Sequence, residues 1–74
     1  MNKSYSVIYE AVPDGGFVAY VPGLPGCHTQ GDTMEETVNN IKEAILVYLE
    51  SLSAHNDPIP HDQVVFQGTV EVAI

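Results

Sequence analysis

The chain has 74 residues with ten acidic and two basic side chains, a formal net charge of −8 and a pI near 4.3. That length fits one domain, residues 1–74, and a core this small rarely supplies more than ~3–5 kcal/mol without staples or self-association. One cysteine excludes an internal disulfide, no Cys/His spacing matches a zinc pattern, and the charge opposes phosphate backbones.

Residues 5–12 alternate as a strand, with Tyr5, Val7, Tyr9 and Ala11 on one face and Ser6, Ile8, Glu10 and Val12 on the other. Pro13-Asp14-Gly15-Gly16 reads as a tight turn, because proline presets φ and glycine accepts φ > 0. Residues 17–21 form the return strand of a hairpin, ended by Pro22, which has no N–H for a ladder bond. After the rigid turn Pro22-Gly23-Leu24-Pro25-Gly26, residues 27–30 predict a short third strand closed by Gly31.

The helix start is marked next. Thr33 stands three residues before Glu36, as in a capping box, and Glu35 and Glu36 lie where the helix dipole favours negative charge. Met34, Val38, Ile41, Ile45, Tyr48 and Leu52 recur at spacings of three and four and predict one apolar stripe. Asn56-Asp57-Pro58 and Pro60 are stop signals. Beyond this polar linker, residues 64–66 and 69–74 read as extended, with Val70 and Val72 expected to face inward. The order β-β-β-α-β predicts an α+β two-layer sandwich. In it one helix covers a four-stranded mixed sheet whose last strand lies parallel to the first. One helix leaves the second sheet face bare, which predicts self-association.

Candidate chemistry is thin. Cys27 and His28 are neighbours on a strand and point to opposite faces, so they make no nucleophile–base dyad; Cys27 reads as a small core residue. His28, His55 and His61, with Asp57 and Asp62, read as surface and loop residues rather than as metal ligands. Gly15-Gly16 precedes a strand, whereas phosphate-cradling loops lead into a helix N-terminus. No catalytic residue, cofactor or metal is assigned, and an enzyme is not expected. One helical feature points to a partner: Leu46 and Val47 fall on the outer half of the wheel among Asn39, Asn40, Glu43 and Glu50. Glu43, Leu46, Val47 and Glu50 are therefore candidate partner-binding residues, an apolar patch with an acidic rim suited to a basic protein.

The run from the Gly-Gly turn through Phe17-Val18-Ala19, Pro22-Gly23-Leu24-Pro25-Gly26-Cys27, Gly31-Asp32-Thr33, Glu35-Glu36, Asn40 and Glu43-Ala44-Ile45 resembles the HicB-like antitoxin family. The resemblance implies a partial RNase H-like β-β-β-α-β unit. It also implies inhibition of HicA, a small basic mRNA-cleaving toxin with a double-stranded-RNA-binding-like fold. Many such antitoxins add a helix-turn-helix or ribbon-helix-helix domain; these 74 residues show none, nor a carboxylate cluster on the strands. Operator binding and nuclease activity are accordingly not expected. The alternative is a stand-alone homo-oligomeric regulatory or scaffolding module without a toxin. With no apolar h-region at its start and no long apolar run, the chain is expected to be cytoplasmic.

Overall fold

The computed structural model describes residues 2–74. Three strands, β1 (Ile8–Ala11), β2 (Phe17–Tyr20) and β3 (His28–Gly31), form an antiparallel meander in the order β1-β2-β3, followed by one helix, α1 (Met34–Ala54). The first turn forms where expected: Val12 N–H donates to the Gly16 carbonyl at 3.0 Å and Gly15 N–H to the Val12 carbonyl at 2.9 Å. Both glycines have positive φ, 103° at Gly15 and 84° at Gly16, which a side chain would resist.

The strands align Tyr9 with Ala19 and Ala19 with Thr29, and likewise Ala11 with Phe17 and Phe17 with Gly31. Those residues share the face that α1 covers, since a Cβ on Gly31 would meet Thr37 of the helix. Ile8, Tyr20 and His28, with Glu10, Val18 and Gln30, occupy the uncovered face. That face mixes apolar and polar side chains, as a half-solvated antiparallel sheet does.

The core comprises Ala19, Val21, Leu24, Cys27 and Ile41, with Tyr5, Val7, Tyr9, Ala44, Ile45, Tyr48 and Leu49 packed around it. Leu24 comes from a loop yet is fully buried. Val21 N–H donates to the Cys27 carbonyl and Cys27 N–H to the Leu24 carbonyl, so the turn folds inward and satisfies its own backbone.

Helix α1 is capped at both ends. Thr33 Oγ1 accepts from Glu36 N–H at 3.1 Å, the hydroxyl half of the expected capping box. At the other end Asp57 N–H donates to the Leu52 carbonyl and Asn56 N–H to the Ser53 carbonyl, with Asn56 at φ 57°. This is a Schellman arrangement with asparagine in the left-handed position. The stripe is rotated from its expected setting. Thr37 is fully buried, while Met34 and Val38 are each 42% exposed, because α1 packs on β3 and β2 and overhangs β1.

The main correction concerns the last strand. The four-stranded mixed sheet is not formed: residues 55–74 contain no strand, and the partial RNase H-like order is matched only through β-β-β-α. The chain returns beside the N-terminal segment, where Tyr5 Oη donates to the Pro60 carbonyl at 2.8 Å. There the Asp62 carboxylate accepts from Ser6 N–H at 2.7 Å and Ser6 Oγ at 3.0 Å. Gly23 lies against the backbone of His61, Asp62 and Gln63. Residues 64–74 then run clear of the sheet, and Val70 and Val72, expected inside, are 85% and 71% exposed. The molecule measures 51 × 26 × 20 Å with a radius of gyration of 14.5 Å. A compact chain of this length has a radius of gyration near ~11 Å, and the projecting tail accounts for the excess.

Candidate interaction surfaces

Two concave surfaces flank α1, and the helix assigns side chains to each. The larger is an open apolar groove of about 580 Å³ between the helix and β1. Tyr5, Val7 and Tyr9 form its sheet side; Val38, Ile41, Ile45, Leu46 and Leu49 form its helix side. Its position follows from the seating of α1 over β2 and β3, which leaves the helix overhanging the unpaired edge of β1. Lys3 and Lys42 also line it, and these are the only basic residues of the chain.

The smaller is a shallow depression of about 310 Å³ on the β3 side, lined by Gly26, Cys27, His28, Glu43, Ala44, Val47 and Tyr48. Cys27 forms its floor and is buried, and loss of solvent pushes its thiol pKa up from the usual 9.0. A thiol held in its neutral form is a poor nucleophile. Among the described residues no three His, Cys, Asp or Glu side chains gather as a metal site.

The four residues singled out from the sequence are exposed, with Leu46 at 53% and Val47 at 59%. At positions i, i+3, i+4 and i+7 they share one exposed face of α1, which runs between the two hollows. Leu46 turns into the lysine-lined groove, whereas Glu43 and Val47 line the depression beside β3. Glu50 lines neither concavity and lies exposed further along α1. The sequence reading missed the groove because it depends on a fourth strand being absent from beside β1. One signal was present: Lys42 stands four residues after Val38 and three before Ile45, at the margin of the apolar stripe.

A three-stranded antiparallel meander with one helix, and apolar hollows on both flanks of that helix, defines a small domain of the α+β class. Residues 5–71 match the family described as the HicB_like antitoxin of bacterial toxin-antitoxin system. A UPF0150 protein of Synechocystis sp. is 48% identical over 62 residues, 84% of this chain and 78% of the relative. A UPF0150 protein of Thermoplasma acidophilum is 55% identical over 58 residues, 78% of this chain and 84% of the relative. Antitoxin HicB 1 of Photorhabdus laumondii is 34% identical over 73 residues, 99% of this chain but 47% of that protein. The chain belongs to the HicB-like antitoxin family. No helix among the described residues is long and apolar enough to cross a membrane.

Proposed function

We propose that residues 1–74 act as one unit that binds and neutralises a small basic toxin of the HicA type by protein–protein association. The observation that carries this reading is the β3-side surface of α1 in a chain of net charge −8. There Val47 is 59% exposed beside Glu43, with Glu50 further along the helix. An apolar anchor flanked by carboxylates suits a cationic protein surface, which electrostatic attraction brings in quickly and orients. Leu46 contributes from the margin of the groove. The same charge opposes direct contact with nucleic acid, so the reading places no operator or transcript on this chain. It assigns no catalytic step.

The test is co-expression with any small basic protein that proves to be encoded beside it and to be toxic alone, scored as rescue of growth. The wild-type chain is expected to restore growth, and Glu43→Lys combined with Val47→Asp and Glu50→Lys to abolish rescue. Charge reversal against an oppositely charged partner costs several kcal/mol, on the order of a hundredfold or more in affinity. Full rescue by the soluble triple variant removes this surface from the reading. The second reading, a homo-oligomeric regulatory or scaffolding module without a toxin, is favoured by the projecting apolar tail. Absence of any toxic neighbour would leave that reading in place.

A further inference from the structure

Residues 64–74 carry an unused strand. Val64, Phe66, Val70, Val72 and Ile74 share one parity with Gly68 between them, so an extended backbone puts them all on one face. All five are exposed, Phe66 at 95% and Val70 at 85%, and no backbone hydrogen bond joins this segment to the sheet among the described residues. Such a row of β-branched and aromatic side chains beside unpaired amides is a strand without a sheet.

The molecule also carries a sheet position without a strand. Among the described residues β1 pairs only with β2, so its outer edge carries no strand there. Directly beyond that edge lies the groove under α1, lined by Tyr5, Val7, Tyr9 and the helix. A strand laid along β1 would drop every second side chain into it.

We propose that residues 64–74 of one copy add as a fourth strand beside β1 of a second copy, reciprocally, forming a two-fold strand-exchanged dimer. Charge selects this occupant. The groove holds both lysines of an otherwise acidic chain, which disfavours a basic partner there, while the tail carries a single charged side chain, Glu71. The tail does not fill its own groove: Asp62 is tied to Ser6 and Gln63 lies against Gly23, and none of residues 64–74 lines the cavity. A two-fold axis satisfies two tails and two grooves at once, leaving neither edge open. The dimer covers Leu46 but leaves Glu43, Val47 and Glu50 free, so the β3-side surface stays open under either functional reading.

The full chain should run at twice its 8.0 kDa mass by light scattering at tens of micromolar. Val70→Asp with Val72→Asp should halve that mass, because both charges would enter the groove. Thr69→Asp with Ala73→Asp, on the opposite parity, should leave it unchanged. Location is read by cross-linking in a Cys27→Ala background. A tagged chain bearing Val72→Cys is mixed with an untagged chain bearing Val7→Cys, and a disulfide between the two chains is expected. A monomeric wild type, a dimer indifferent to the Val70/Val72 pair, or a disulfide formed only when both cysteines share one chain would each overturn the proposal. If the Val70/Val72 variant fails to fold, the cross-link alone decides.

Discussion

Replacing Gly31 with alanine should be the most damaging single-methyl change in the sheet. Gly31 ends β3 beneath the first turns of α1. A Cβ there would lie 2.5 Å from Thr37 Oγ1, 2.8 Å from Thr37 N and 3.1 Å from Thr37 Cα. The hydroxyl could rotate away only by giving up its 2.7 Å bond to the Thr33 carbonyl. The backbone nitrogen cannot rotate at all, and it already donates to the same carbonyl at 3.0 Å. Relief therefore requires the start of the helix to lift by about 0.6 Å, enough to bring the Thr37 N contact to ordinary van der Waals separation. Thr37 is fully buried, so the lift propagates into close-packed core.

Overpacking of this kind costs ~1–3 kcal/mol, and a clash with backbone belongs at the upper end. Set against the ~3–5 kcal/mol that a core of this size supplies, a loss of ~3 kcal/mol removes most of the stability. At ~4–8 °C per kcal/mol the melting temperature should fall by roughly 12–24 °C. Thermal and urea melts followed by circular dichroism at fixed protein concentration measure this. Two further glycines calibrate it. Gly15→Ala meets nothing within 4 Å but keeps φ at +103°, isolating a backbone cost of ~1–2 kcal/mol. Gly68→Ala meets nothing and has no positive φ, and should move stability by less than ~0.5 kcal/mol. If Gly31→Ala melts with Gly68→Ala, α1 is not seated tightly on β3 and the packing argument fails.

Asp62→Ala should detach the returning chain from the N-terminal segment, removing the acceptors for Ser6 N–H and Ser6 Oγ. The site is half-buried, so the cost is about 1 kcal/mol, below the usual range for bonds to a charged acceptor. The Ser6 amide should exchange faster by hydrogen-exchange NMR, and unchanged exchange would show that Asp62 does not hold it. Cys27 should resist alkylation in the native protein at neutral pH and react freely in urea; equal rates would place the thiol outside the core. Its raised pKa also sets a pH dependence. Burial favours the protonated thiol in the folded state, so its contribution is complete below 9.0 and is lost as pH rises above that value. Cys27→Ala should flatten that alkaline decline, and an identical pH profile would assign the decline to other groups.

What the sequence made legible was local. The turn at residues 13–16 depends on proline and two glycines acting within four residues, and the start of α1 on Thr33 bonding three residues ahead; both appear in place. What was misread was set by tertiary packing. The apolar stripe named Met34 and Val38, but the close approach of Gly31 pulls Thr37 against the sheet and rolls those two outward. Leu24, inside a proline-glycine turn, gives no periodic signal, and only the inward fold of residues 21–27 buries it. The first strand is shorter than residues 5–12 because β2 stops at Tyr20 and Pro22 offers no N–H beyond it. The alternation of residues 64–74 was visible, but the place expected for it beside the first strand is not taken up, because a sequence pattern fixes a strand's faces without fixing its neighbour. The helix wheel found Glu43, Leu46, Val47 and Glu50 exposed on one face, but not that this face divides two hollows, with Leu46 at the margin of one and Glu43 and Val47 at the margin of the other.

That division has a physical consequence for how one helix could serve two contacts. Successive residues 42 and 43 are a lysine and a glutamate, about 100° apart on the helix, and they open onto different hollows. The positive one borders the apolar groove proposed for the tail, whose single charged side chain is Glu71; the negative one borders the surface proposed to meet a basic partner. Were both flanks acidic, a cationic protein would compete for the groove, and two copies carrying −8 each would repel along their shared edge. Placing both lysines at the groove weakens that repulsion where two copies meet and leaves the acidic charge elsewhere. A tail seated beside β1 would cover Leu46 and leave Val47, Glu43 and Glu50 exposed. Self-association would then remove the apolar side chains most prone to nonspecific aggregation and present two copies of the acidic surface, one on each side of the dimer.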